Sequence, residues 1–146
     1  MNIIKDNIIQ FMFGGNSTFT IQKGKNHFSY KIYKKRTNDG SKIYHLYLKS
    51  ANKGTYCGYF KIIDHKLTFR HSGKYGIEKN DSQMNFLLEI IHQRRNLPED
   101  TVICHCGRCA HCGRMLTDPK SMERGFGPEC WQKVKGFILW ELFNNL

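Results

Sequence analysis

Five of the six cysteines in this 146-residue chain fall between Cys104 and Cys130, with His105 and His111 among them. Cys109 and Cys112 are separated by two residues and followed by Gly113. That spacing lets two thiolates face one cation while the glycine turns the chain back. Cys130 follows Gly127-Pro128-Glu129, where proline suits the first position of a helix and glycine its N-cap. A cysteine in a first helical turn lies near free backbone N–H groups, which favour the thiolate that metals bind. Cys109, Cys112 and Cys130 are therefore expected to hold a metal, with His105, Cys106, His111 and Cys104 all near enough in sequence to complete the set.

Competing uses of the thiols fit less well. Lys5, Asp6, Asn7 and Gln10 interrupt the apolar character of the first thirteen residues, so no export signal is read there. No other stretch approaches membrane-spanning length. A cytoplasmic protein without membrane contact is expected, and in a reducing compartment clustered cysteines favour metal over disulfides. A redox CxxC belongs at a helix start after a strand in a βαβ pattern, which is missing. Pro128-Glu129-Cys130 resembles part of the deaminase signature but lacks an upstream His-x-Glu and a second CxxC. With no HExxH, GxGxxG, P-loop or GxSxG, the chain is expected to be no enzyme and to have no catalytic residue. A short cysteine-rich segment has too little core to fold alone, so one structural zinc ion would supply the missing folding free energy.

The run CGRMLTDPKSMERGFGPEC resembles a small cysteine-rich module, written HxGRCxxCGRxLTxPxSxxxGxGPxC, of bacteriophage and bacterial proteins of mostly unassigned function. The likeness covers about residues 105–133. His105 falls on the histidine of the pattern, Gly107-Arg108 on its GR, and Cys109, Cys112 and Cys130 on its cysteines; Thr117, Pro119, Ser121, Gly125, Gly127 and Pro128 also match. The resemblance implies zinc held by His105, Cys109, Cys112 and Cys130. This chain adds Cys104 and Cys106 beside the histidine, and either can stand in its place.

Residues 17–71 must position this module, and they read as five short strands: STFTIQ, HFSYKIYKK, KIYHLYLKS, TYCGYFKII and KLTFRH. Turn residues separate them at Gly24, Asn38-Asp39-Gly40-Ser41, Asn52-Lys53-Gly54 and Asp64-His65, which implies an antiparallel meander. Alternation sets Phe28, Tyr30 and Ile32 against Ser29, Lys31 and Tyr33, and Tyr44, Leu46 and Leu48 against His45, Tyr47 and Lys49. Ile4, Ile8, Phe11 and Met12 suit one face of a helix over 2–12. A second helix, capped by Asp81-Ser82 and running to about Arg95, has Met84, Leu87, Leu88, Ile90 and Ile91 to lay across the sheet. The expectation is an α+β protein: a basic antiparallel domain over 1–98 and a treble-clef-like zinc module over 99–146, with NLPED as the link. The module would end in a helix over 128–143, whose Trp131, Val134, Phe137, Ile138, Leu139, Trp140, Leu142 and Phe143 exceed one apolar side and offer a route to an oligomer.

The charge of +11 is uneven, with seventeen Lys and Arg against eight Asp and Glu in residues 1–100. A field of that sign attracts polyanions. Lys31, Tyr33, Lys35, Tyr47, Lys49, Tyr59 and Lys61 on the outward strand face, with Arg108, Arg114, Lys120 and Arg124 on the cysteine turn, are the expected contacts to nucleic acid or a nucleoprotein. The alternative is a phage inhibitor of a host defence system, a nuclease or a CRISPR complex, acting from the host cytoplasm by protein contacts.

Overall fold

The computed structural model describes residues 2–50, 53–73 and 78–136. The fold is α+β. Its centre is one seven-stranded sheet in which every neighbouring pair is antiparallel. In chain order the elements are β1 (Asn2–Ile4), α1 (Ile8–Met12), β2 (Asn16–Lys23), β3 (Asn26–Arg36), β4 (Lys42–Ser50), β5 (Lys53–Ile63), β6 (Lys66–His71), α2 (Ser82–His92), β7 (Thr101–His105), α3 (Pro119–Arg124) and α4 (Pro128–Val134).

The meander from β2 to β6 is the one the alternation predicts. Asp64 and His65 turn between β5 and β6 with φ of 52° and 62°, the left-handed pair that a two-residue hairpin needs. At the β3–β4 turn, Asp39 accepts hydrogen bonds from Thr37 and Ser41, which hold its carboxyl below the usual carboxylate range. The expected turn at Asn52 lies outside the described residues.

Two stretches differ from expectation. The first residues are not one helix: Asn2–Ile4 is a strand and only Ile8–Met12 is helical. The reason is a partner absent from local sequence. β7 lies between β1 and β2 in the sheet and gives Asn2–Ile4 a ladder to join. β7 itself falls in the stretch that the sequence assigns to the cysteine module, yet Thr101, Val102 and Ile103 are β-branched and extend the sheet. The sheet thus runs across the expected boundary near residue 98.

Buried residues collect on one sheet face under α1 and α2. Phe19, Ile21, Tyr30, Ile32, Leu46, Phe60, Leu67 and Ile103 all lie there at 1% exposure or less. α2 covers them with Met84, Leu87, Leu88, Ile90 and Ile91; its N-terminus is capped by the Asp81 carboxylate, which accepts from the Met84 N–H at 2.9 Å. Tyr30 sends its hydroxyl to the Gln83 carbonyl at 2.7 Å, so a buried phenol is satisfied rather than orphaned. From α1, Phe11 packs edge-on to Phe19 and Phe126, and Phe13, which follows the helix, packs edge-on to Tyr44 and Phe60. No helix of the described residues is long and apolar enough to cross a membrane.

Candidate functional site

The cysteine segment folds as a tight hairpin followed by two short helices. Arg108 bridges Met115 antiparallel. The Cys109 N–H donates to the Arg114 carbonyl at 2.8 Å, and the Gly113 N–H returns to the Cys109 carbonyl at 2.9 Å. Gly113 takes φ 79° to make that return. α3 starts at Asp118, whose carboxylate accepts from the Ser121 N–H at 3.1 Å, and ends at Gly125 with φ 82°. A Cβ on Gly125 would lie 2.4 Å from the Phe11 ring, so the glycine lets the segment close against the core. α4 then begins with Gly127 as N-cap and Pro128 in its first turn, as the sequence predicts, and carries Cys130.

These pieces bring Cys109, Cys112 and Cys130 together, with ligand atoms all within 4.8 Å of one another. A tetrahedral zinc with bonds of about 2.3 Å sets its sulfurs about 3.8 Å apart, so three thiolates at this spacing fit one cation. The thiols are not electrostatically equal. Burial alone would raise Cys109, but N–H groups of Cys112, Gly127 and His111 outweigh it and hold the thiol below its ordinary value. Cys130 is pushed up to about 12, first by burial and then by Cys112 and Cys109. A helix start by itself favours the thiolate, and here burial, with the neighbouring sulfurs behind it, overrules that preference. A cation between them reverses the sign of their effect, because each thiolate then faces positive charge.

His105 stands apart from this group. It ends β7 with its ring 5.4 Å from that of Phe11 and only 5% exposed. Nε2 hydrogen-bonds the Met122 carbonyl at 2.7 Å, and Nδ1 accepts from the Gly107 N–H at 3.0 Å. That pattern is a neutral ring with Nε2 protonated, and burial keeps its pKa below the ordinary value although the Met122 carbonyl pulls the other way. With both nitrogens engaged, neither lone pair is left for a metal. The expected Cys3His set is therefore not what this geometry assembles. Cys104, buried in β7, and Cys106, exposed just beyond it, are also outside the group. Among the described residues no fourth His, Cys, Asp or Glu joins the three cysteines.

The expected partner surface is gathered in part. Register places Tyr33, His45, Tyr59 and Arg70 opposite one another on β3, β4, β5 and β6, with Asn16 of β2 completing the row. The adjacent row holds Lys31, Tyr47 and Tyr56, the next one beyond it Lys49, and the row on the other side Lys35, Ile43 and Lys61. All seven sheet residues expected from the sequence thus share the outward face. His45, set on that face by the alternation, joins them, and Tyr56 and Arg70 join unforeseen. His45 bonds the Tyr56 hydroxyl through Nδ1 at 2.9 Å, and its pKa is lowered by partial burial and then by Lys35, so it is neutral near pH 7. Tyr47 and Tyr56 rings lie 5.3 Å apart, and the Lys31 ammonium sits 5.8 Å from the Tyr33 ring centre. The five strands β2 to β6 contain eleven Lys and Arg and no Asp or Glu.

The four basic residues of the cysteine segment divide. Arg108 and Arg114 are exposed on the hairpin, where Arg108 Nη1 donates to the Gly113 carbonyl at 3.1 Å. Lys120 and Arg124 belong to α3 and line a cleft with Lys5, Asp6 and Glu123; the Arg124 guanidinium lies 5.2 Å from the Trp131 ring. The helix expected over 128–143 is present as α4 to Val134, and Phe137 to Phe143 lie outside the described residues. Residues 104–135 match a family described as a family of unknown function, DUF6011. The match covers the stretch expected from the resemblance and assigns it neither an activity nor a metal. No curated protein and no solved structure matches the chain.

Proposed function

We propose that this chain is a zinc-stabilised nucleic-acid-binding protein that acts by binding rather than by catalysis. The observation that carries the reading is the outward face of the sheet, where rings and lysines share rows on strands without a carboxylate. Rings accept stacked bases and cations meet phosphates, and a face free of acids does not repel a polyanion. The three-cysteine group favours a thiophilic cation, and the proposed one is zinc, whose structural sites are commonly built from cysteine thiolates. Its role there is structural, holding the hairpin and α4 together.

The test is fluorescence anisotropy of the zinc-loaded chain with labelled oligonucleotides across a salt series. Binding whose log affinity falls steeply with log salt is expected, because neutralised phosphates release their counterions. Absence of binding at low salt contradicts the reading and points to a protein partner instead.

A further inference from the structure

The cysteine hairpin and the ring row are joined. The Asn16 N–H donates to the Ala110 carbonyl at 2.7 Å, and a Cβ on Gly113 would lie 2.9 Å from the Asn16 side-chain amide. Asn16 is the β2 member of the row that continues through Tyr33, His45 and Tyr59 to Arg70. The Arg108 guanidinium is bonded to Gly113 itself. An arginine therefore stands at each end of the row, one supplied by the hairpin and one by β6, with three rings between them.

We propose that this row is the track of a single nucleic-acid strand laid across the β-strands, with the metal-held hairpin forming one end. The inference rests on the nucleic-acid reading and adds the strandedness, the direction and the part played by the hairpin. Strandedness follows from the rings. A duplex hides its base faces in the stack, whereas a single strand turns them outward onto aromatic side chains. The ring centres of His45 and Tyr56, His45 and Tyr59, and Tyr47 and Tyr56 are only 5.3 to 6.4 Å apart. A base sandwiched between two rings needs about 7 Å, twice the roughly 3.4 Å stacking distance. Bases are thus received on the outer faces of the rings, Tyr33 being the most open of them at 38% exposure. Direction follows from the cations. Neighbouring strands lie about 4.8 Å apart, so the row crosses the sheet from β2 to β6. Lys35 and Lys61 flank it on one side and Lys31 on the other, within reach of a backbone that follows the row.

The experiment compares a single-stranded oligonucleotide with its duplex, by anisotropy, on the zinc-loaded full chain and on two double variants. Tyr33→Ala/Tyr59→Ala removes stacking rings from an outward face. Arg108→Gln/Arg114→Gln removes the hairpin charges; one metal per chain, checked first, shows that the hairpin is intact. The expected results are at least tenfold preference for the single strand and at least tenfold weaker single-strand binding by the tyrosine variant at unchanged salt slope. For the arginine variant, the slope should become shallower by about 0.7 for each phosphate that the missing guanidinium groups no longer neutralise. Equal affinity for duplex and single strand, with the tyrosine variant binding like the parent, overturns the track and leaves the nucleic-acid reading standing. Binding to neither form at low salt overturns both.

Discussion

The sheet and the cysteine segment differ sharply in how much apolar side chain they bury. Under the sheet, whole side chains such as Phe19, Ile21, Tyr30 and Ile32 are removed from water, each worth about 1.5–3 kcal/mol. In the cysteine segment α3 buries only Ser121 and α4 buries no residue fully. Its buried apolar side chains are Cys109, Ala110, Leu116 and Phe126. A segment that buries so little needs another source of stability, and three converging thiols supply it only when a cation joins them. On the proposed reading, one region is set by apolar burial and the other by the cation that its three thiols could hold.

The widest separation between the two should come from removing the metal. Chelation, or Cys109→Ser, is expected to forfeit most of a structural zinc contribution, about 10 kcal/mol or more of binding free energy at neutral pH. Amide hydrogen exchange reads the consequence: Cys109, Ala110, Gly113 and Leu116, whose N–H groups hold the hairpin together, should lose protection while amides of β3 and β4 keep theirs. Uniform loss across both regions would show that the sheet depends on the metal too.

Phe11→Ala attacks the seam instead, since that ring touches Phe19 of the sheet and Phe126 of the segment. A loss of about 3–5 kcal/mol is expected in urea unfolding, with both regions melting together. Gly125→Ala strikes the same seam from the other side, where φ is 82° and a Cβ would overlap Phe11. Strain of this kind costs about 1–3 kcal/mol, and the loss should be smaller in a Phe11→Leu background, which a thermal-unfolding double-mutant cycle detects. Asp81→Ala touches the sheet side alone: losing the cap on Met84 should cost about 1 kcal/mol without altering metal content.

The smallest effect concerns pH. His105 is neutral in the fold, and its pKa is lowered by burial, so the unfolded chain binds the proton more readily. Its contribution to stability is full above the unfolded value near 6.5 and is lost as pH falls toward the folded value. Stability of the parent should therefore decline below about pH 6.5 more steeply than that of His105→Gln, measured by urea unfolding of the metal-loaded chains. The same variant should still bind one zinc, because the ring faces Met122 and Gly107 rather than the cysteines.

Much of the sheet was legible because alternation and turn residues are local signals. Phe28 to Tyr33 and Tyr44 to Lys49 alternate as read, and Asp64-His65 turns where expected. The three thiols were legible from CxxC spacing and from Pro128 before Cys130. Long-range pairing was not. Asn2–Ile4 is a strand only because β7 arrives about a hundred residues later, and His105 looks like a ligand until its strand turns it toward Phe11. Tyr56 escapes a sequence reading for another reason. The register shifts between Leu46 and Tyr47, so Cys57 goes inward and Tyr56 outward, the reverse of the simple alternation through Tyr59 and Lys61. Gly58 permits that bulge with φ 146°, where a Cβ would meet the Arg70 carbonyl at 2.2 Å.

On the proposed reading, the metal-held hairpin and the ring-bearing sheet face form one nucleic-acid surface. The most direct measurement is a 1H–15N titration of the zinc-loaded chain with a single-stranded oligonucleotide, read residue by residue. Shifts should cluster at Asn16, Tyr33, His45, Tyr59, Arg70 and Gly113, leaving Leu87 to Ile91 of α2 unmoved. Shifts centred on α2, or none at all, would show that the ring row is not a nucleic-acid surface.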